Sequence, residues 1–142
     1  MPVARSLPCG ATVGWSDPGP TTVRGSVTTA RSWVDTTNGW LETHAQYDGC
    51  GNARKSLDAK GNVSQVEYSG DYHFAYPTRT ISPVPDPSGL FGSTTALESS
   101  TVYDFTTGLV TSSTDTNGHT TSFNYDDPLN RLTLVTRPAG GG

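Results

Sequence analysis

Apolar and polar residues alternate with a period of two near the C-terminal end of the chain. Thr121, Phe123 and Tyr125 are separated by polar neighbours, which is typical of a β-strand. The dipeptide Asn117-Gly118 just before them can adopt the positive φ values of a tight turn, so this stretch predicts a β-hairpin. Abundant β-branched Thr and turn-forming Gly, Pro and Ser favour short strands over helices in the rest of the chain. The predicted fold class is therefore all-β.

The share of hydrophobic residues limits the size of any core. These residues make up 32% of the 142-residue chain, whereas globular domains usually contain roughly 45–50%. The length corresponds to one domain. We therefore expect a single domain's worth of chain without a deep, dry core.

Charge and hydropathy exclude several classes of partner. The formal net charge is −4, and the nine Lys and Arg residues are scattered, so no basic patch is available for nucleic acid or anionic membranes. The start, MPVARSLPCGATVG, lacks the apolar segment of a signal peptide, and no apolar run reaches the about 18 residues of a membrane span. Any export signal is expected outside this chain.

Few residues have the spacing of a reactive or metal-binding site. Cys9 and Cys50 permit one disulfide but are equally compatible with reduced thiols, and only their pairing geometry would decide. His44, His73 and His119 lack the spacing of a zinc site. No G-x-S-x-G motif occurs, so no serine is singled out as a nucleophile. The sequence thus predicts no catalytic residue, no metal ligand and no enzymatic activity.

An internal repeat is the most informative feature of the sequence. Tyr103 and Tyr125 are 22 residues apart, and Tyr47 and Tyr68 are 21 apart. An Asp-x-x-Gly turn falls between the tyrosines of each pair, and an aspartate follows most of the tyrosines. The repeat-defining residues are Tyr47, Asp48, Asp58, Gly61, Tyr68, Tyr103, Asp104, Asp115, Gly118, Tyr125, Asp126 and Arg131.

One repeat unit, residues 69–102, is longer than the others. Its middle holds the cluster Pro83, Pro85 and Pro87. Because proline has no N–H for a sheet ladder, this unit predicts an edge strand that leads into a protruding Pro-rich loop. The domain prediction is a poorly defined N-terminal segment, 1–31, followed by a repeat module, 32–142.

Each unit is expected to supply about two strands joined at the Asp-x-x-Gly turn. Single hairpins of this length cannot bury a face alone, so successive hairpins must associate. The tyrosine would end a strand and present its ring to the shared face, with its hydroxyl available for a partner. The aspartate after it can accept a hydrogen bond from its own backbone two residues on and so begin the next turn.

The segments YDGCGN, YDFTTGL and YDDPLNRLTLVTRP, with LDAKGN and TDTNGHTTSFNYD beside them, resemble rearrangement-hotspot (RHS) repeats, also called YD repeats. The resemblance covers roughly residues 32–140, and as a tandem pattern it is specific. Two positions depart from the family pattern: Asn130 stands where a glycine is expected, next to a retained Arg131, and Asn52 replaces an arginine.

The resemblance implies tandem antiparallel hairpins in a curved sheet that spirals into a hollow shell. Such shells enclose or present cargo in secreted bacterial polymorphic toxins, in insecticidal toxin complexes and, more distantly, in teneurins. The chain would then be a non-catalytic strip of wall from a longer extracellular or cell-surface protein, bacterial in origin. Its partners would be flanking repeats, or further copies that self-associate through open sheet edges.

Aromatic residues suggest an alternative role as an adhesion, carbohydrate-binding or fibre-forming segment. Exposed aromatic clusters often mark binding surfaces, and a sugar-stacking platform would use Trp33, Trp40, Tyr72, Phe74 and Tyr76. The same residues could instead pack across hairpins. An unrecognised hydrolase is a second alternative, because fold alone never fixes function.

Calcium is the one cofactor that the composition of the turns suggests. Stacked repeats would bring aspartates into rows, and Ca²⁺ takes several oxygen ligands. Turns in which aspartate accepts its own backbone N–H groups explain the same residues without a metal. The aspartates concerned are Asp48, Asp58, Asp104, Asp115, Asp126 and Asp127.

Overall fold

The computed structural model describes Cys9 and residues 26–139, which contain β-strands and one short 3₁₀ helix. The prediction of an all-β fold is confirmed. The strands are β1 (Thr29–Val34), β2 (Gly39–Tyr47), β3 (Ala53–Leu57), β4 (Val63–Tyr68), β5 (Pro77–Ile81), β6 (Glu98–Tyr103), β7 (Val110–Thr114), β8 (Thr120–Asn124) and β9 (Leu134–Thr136), and the 3₁₀ helix spans Gly70–Tyr72.

All nine strands belong to one antiparallel sheet in which the spatial order equals the chain order. Each hairpin therefore pairs with the hairpins before and after it, as expected for tandem units. The sheet is open and uncurled, so the curvature implied by the resemblance is not seen over these strands. β1 spans the predicted boundary between residues 31 and 32, and most of the predicted N-terminal segment lies outside the described residues.

The described strands form a single layer in which no hydrophobic core is seen. None of the described hydrophobic residues is buried, and the buried residues among those described are Gln46 and Asp48, at 6% and 2% exposure. This agrees with the low hydrophobic content of the chain. Because burial of apolar surface contributes little, the fold depends on ladder hydrogen bonds, cross-strand pairs and turns.

Cross-strand ion pairs connect neighbouring strands on one face of the sheet. Arg79 on β5 bridges Glu67 on β4, at 3.3 Å, and Glu98 on β6. Arg31 on β1 pairs with Glu42 on β2 at 2.9 Å. All these side chains are substantially exposed to solvent, so each ion pair contributes little to stability.

The expanded unit differs from its predicted structure. β5 pairs with both β4 and β6, so the prediction of an edge strand is wrong. The reason is that Pro83, Pro85 and Pro87 lie beyond the end of β5, in the loop before β6, where no ladder donor is required of them. The Ser82 amide donates to the Leu97 carbonyl at 2.8 Å and closes the base of this loop.

The structure answers the question that the cysteine spacing left open. Cys9 and Cys50 form a disulfide with their Cα atoms 5.0 Å apart, across a sequence separation of 41. Cys50 lies in the turn between β2 and β3, so the bond attaches Cys9 to the sheet. Where the described residues bury no apolar side chain, we expect such a covalent link to contribute a large share of the stability.

We expect removal of this disulfide to destabilise the protein markedly. Chain-entropy arguments for a loop of this length give a loss of up to about 4 kcal/mol in the free energy of unfolding. The comparison is Cys9→Ser/Cys50→Ser against the wild type in urea denaturation, with reductant added to the wild type as the matched control. Equal midpoints in all three samples would contradict the structural role of the bond.

Candidate functional site

The repeat-defining residues lie at two opposite rims of the sheet. Tyr47, Tyr68 and Tyr103 end the strands β2, β4 and β6, and Tyr125 directly follows β8. Even-numbered strands all run in the same direction in this topology, so these residues share one edge, here called the tyrosine rim. The opposite edge, the aspartate rim, carries the turns 58–61 and 115–118 that follow β3 and β7.

A β-bulge accompanies the tyrosine at the end of β2, β4 and β6. The register shifts directly before Tyr47, Tyr68 and Tyr103, because each following strand contains one extra residue. Threonine is the extra residue in β5 and in β7. Its hydroxyl donates to the carbonyl of the residue before the tyrosine: Thr78 to Glu67 and Thr111 to Val102, both at 3.2 Å. No sequence signal in the tyrosine spacing had revealed these threonines.

Tyrosine hydroxyls hold the start of the preceding strand. The Tyr47 hydroxyl donates to the Val27 carbonyl at 3.1 Å, and the Tyr103 hydroxyl donates to the Pro77 carbonyl at 2.9 Å. Each acceptor lies at the entry to the strand directly before the tyrosine's own strand, β1 for Tyr47 and β5 for Tyr103. These two tyrosines thus close the open ends of the hairpins β1–β2 and β5–β6 at the tyrosine rim.

Aspartates organise the turns through their carboxylates. Oδ1 of Asp58 accepts the N–H groups of Lys60 and Asn62 at 2.8 and 2.9 Å, and Oδ2 accepts the Asn62 side-chain amide at 2.7 Å. The residue before the asparagine, Gly61, has φ of 89°, which favours glycine. Asp48 makes the same set of bonds to Cys50 and Asn52 at the other rim. At these two positions the Tyr-Asp and Asp-x-x-Gly motifs therefore encode the same type of turn.

The last unit uses a different aspartate from the predicted one. Asp127 accepts the Leu129 amide and the Arg131 guanidinium, both at 2.7 Å, whereas Asp126 accepts only the Asn124 side-chain amide among the bonds seen. Asn130, which replaces the family's glycine, has φ of 55°. Only Asp127 stands three residues before that positive φ, as Asp58 stands before Gly61. The retained Arg131 takes the place of Asn62.

Hydrogen bonding keeps the turn aspartates ionised. The Asn62 amide lowers the pKa of Asp58, and the Ser88 hydroxyl with nearby backbone N–H groups lowers the pKa of Asp86 to about 2. N–H groups of Thr107, His119 and Arg131 lower the pKa of three further carboxyls in the same way: Asp104, Asp115 and Asp127. These carboxylates are weak bases whose lone pairs are already engaged.

The turn aspartates do not form rows. The turns at Asp58 and Asp115 are four strand positions apart, which corresponds to about 19 Å. Among the residues that the structure describes, no group of three or more His, Cys, Asp or Glu could hold a metal ion. Calcium binding stays a prediction from the sequence.

Aromatic residues of the predicted platform fall into two separate groups. Tyr76 stacks on Tyr103 with centroids 4.9 Å apart, and Tyr72 contacts both rings edge-on and accepts the Tyr103 backbone N–H at 3.1 Å. Trp33 and Trp40 form an edge-to-face pair at the aspartate rim, with centroids 5.2 Å apart.

The tyrosine group is internal packing at the tyrosine rim. A Cβ atom on Gly108 would lie only 2.7 Å from the Tyr76 hydroxyl, so this ring covers the turn after β6. Phe74 accepts the Asn52 side-chain amide through its carbonyl at 3.0 Å, which joins the expanded unit to the first Tyr-Asp turn. A carbohydrate platform that uses all five residues would require both rims at once, and this role stays a prediction.

Comparison with known families agrees with this geometry. Residues 103–141, from the end of β6 past β9, match the family model described as RHS Repeat. This match supports the resemblance to RHS/YD repeats over residues 103–141. None of the curated proteins matches the chain. In the described part of the chain, no helix has the length and apolar character needed to span a membrane.

We expect the two equivalent turns to differ in energy because their carboxylates differ in burial. Asp48→Ala removes a buried acceptor and leaves N–H donors unpaired, which should cost about 2 kcal/mol or more. Asp58→Ala removes the same bonds at an exposed site, and water can replace them. Chemical denaturation of both variants measures the difference. An equal or larger effect at Asp58 would contradict the role of burial.

Acid should destabilise the protein below about pH 4. The pKa values of the turn aspartates are lower in the folded state than the ordinary value of 3.8. Their stabilising contribution is therefore complete above that value and is lost as pH falls through the folded pKa values, down to about 2 for Asp86. Unfolding midpoints measured from pH 6 to about pH 2 test this. Asp86→Asn, the control, should flatten the lowest part of the profile.

Proposed function

We propose that this chain is a non-catalytic structural RHS module, a strip of wall that encloses or displays cargo. The observation that carries the proposal is the single sheet, covered by no other described element, in which strand order equals chain order. Such a sheet grows by adding one hairpin at a time, and each hairpin contacts only its neighbours. A thin, extendable layer suits a partition between two spaces.

The repeated turn supports the same role. Carboxylate-backed turns of one geometry occur at both rims, at Asp48 and at Asp58, so the chain can reverse at either rim by the same local device. The hydroxyls of Tyr47 and Tyr103 close the open ends of their own hairpins, and the ladders β2–β3, β4–β5 and β6–β7 join successive hairpins. These features specify a continuous wall and require no ligand in their construction.

The electrostatics of the turns support a role without catalysis. A general base must be able to accept a proton near neutral pH, and lowered pKa values oppose this. Hydrogen bonds to backbone N–H groups also direct the carboxylates into the turns instead of toward a substrate. The hydrolase alternative has no residue constellation in its favour among the described residues.

The proposed setting is outside the cell or on its surface, in a bacterial RHS protein. RHS repeats typically belong to extracellular or surface proteins, and a disulfide suits an oxidising compartment. The proposed partners are flanking repeats of the same polypeptide or further copies that pair at the open sheet edges.

The wall role predicts that extra repeat units lengthen the sheet. Duplicates of residues 104–125 inserted after Tyr125 would keep the repeat in phase, and each should add two strands, or about 10 Å across the sheet. Small-angle scattering measures this increase. Inserts with the same composition in scrambled order are the control. If in-phase and scrambled inserts changed the dimensions equally, the chain would not be an extendable wall.

A further inference from the structure

The outer edge of β1 is long, extended and uncovered by any described strand. β1 runs for six residues, and within the described part of the chain it pairs only with β2. All but the last of its residues are exposed. An edge of this kind presents unpaired N–H and C=O groups that can accept another strand.

The register with β2 identifies which backbone groups face outward. The Ala45 amide donates to the Thr28 carbonyl at 2.9 Å, which makes Thr28 and Ala45 a hydrogen-bonded pair. Hydrogen-bonded and non-hydrogen-bonded pairs alternate along an antiparallel ladder, so the backbone groups of Ala30 and Ser32 also bond to β2. The N–H and C=O groups of the intervening residues point away from the sheet: Thr29, Arg31 and Trp33.

Side-chain contacts agree with this alternation. Residues in non-hydrogen-bonded pairs approach more closely. Thr29 Oγ1 lies 3.1 Å from Nδ1 of His44, and the rings of Trp33 and Trp40 are in edge-to-face contact. Thr29–His44 and Trp33–Trp40 are both non-hydrogen-bonded pairs in this register. The outward backbone donors and acceptors of β1 therefore have no partner among the described strands.

β9, at the other edge, is protected against pairing. It has only three residues, and Arg137 and Pro138 directly follow it. Short length, charge and proline are the devices that block edge-to-edge association. β1 contains one charged residue, Arg31, which Glu42 already neutralises at 2.9 Å, and it contains no proline.

We propose that β1 pairs antiparallel with β1 of a second copy, with Ser32 opposite Ser32. A register centred on Arg31 would place two guanidinium groups directly opposite each other, which is unfavourable. The register centred on Ser32 instead places Arg31 of each copy opposite Trp33 of the other, a cation–π pair on one face. It also keeps the outward N–H and C=O groups of both residues in hydrogen-bonding positions.

This pairing makes a closed two-fold dimer. The same edge is used by both copies, so association ends at two, and the protected β9 edges do not extend it into a fibre. The inference deepens the proposed wall function by naming the partner of one sheet edge. The contact consists of a few backbone bonds and two Arg–Trp pairs, so it is weak and concentration-dependent.

Cysteine cross-linking tests the register. In the proposed dimer the Ser32 Cα atoms are about 4.5 Å apart, within disulfide range. The Ala30 Cα atoms are about 13 Å apart, beyond that range. Mild oxidation of concentrated Ser32→Cys should therefore give at least about tenfold more covalent dimer than Ala30→Cys. Peptide mapping by mass spectrometry identifies a 32–32 link and separates it from exchange with Cys9 or Cys50.

Equal cross-linking of the two variants, or no 32–32 link, would overturn the proposed pairing. A second measurement does not depend on added cysteines. Trp33→Glu and Trp33→Lys both remove the Trp33–Trp40 contact, but only lysine would face Arg31 of the other copy with like charge. Sedimentation velocity should show a dimer for the glutamate variant and a monomer for the lysine variant, and indistinguishable profiles would contradict the proposal.

These experiments are separate from the test of the wall function. The inserts after Tyr125 change the interior of the repeat array and leave β1 intact. Failure of those inserts to extend the sheet would reject the wall role without affecting the β1 contact. Failure of the 32–32 link would reject this dimer while the wall role stood.

Discussion

The carboxylate-backed turn is the interaction on which the rest of the structure depends. A sheet without a buried hydrophobic residue among its described strands has no core to select its register, so the register must be set locally. Asp58 does this by binding the amides two and four residues on, while Gly61 supplies the positive φ between them. Because this geometry fixes the loop length, it also fixes which residues of β3 and β4 face each other.

The bulge at the tyrosine rim complements these turns. An extra residue in the following strand increases local twist and aims the tyrosine ring and hydroxyl back toward the preceding strand. Turns therefore set the pairing at the aspartate rim of a hairpin, whereas the hydroxyls of Tyr47 and Tyr103 close the open ends of their hairpins at the tyrosine rim. A wall built in this way is stabilised along its whole length by contacts between neighbouring strands. At its two ends, the exposed groups of the edge strands determine whether another strand can pair.

The sequence was sufficient for the periodic features and insufficient for the local exceptions. Tyrosine and aspartate spacing predicted the hairpins, their order and the two kinds of turn, because each depends on residues close in sequence. The interior position of β5 could not be predicted from Pro83, since a proline just outside a strand and one inside it differ only in where the strand ends. Asp126 was predicted as the turn aspartate in place of Asp127. The turn requires an aspartate three residues before the residue with positive φ, and the positive φ at Asn130 is seen only in the structure.

Arg54 shows how one unit compensates for losing a repeated contact. It is the extra residue of β3, where β5 and β7 have a threonine that bonds across the bulge. Its guanidinium lies over the Tyr68 ring at 5.5 Å, and its Nε and Nη1 atoms are buried with no hydrogen-bond partner among the described residues. That burial is costly. The turn between β2 and β3, next to this bulge, contains the buried Asp48 and the disulfide at Cys50. These two features stabilise the turn, whereas the bulge lacks the threonine hydrogen bond.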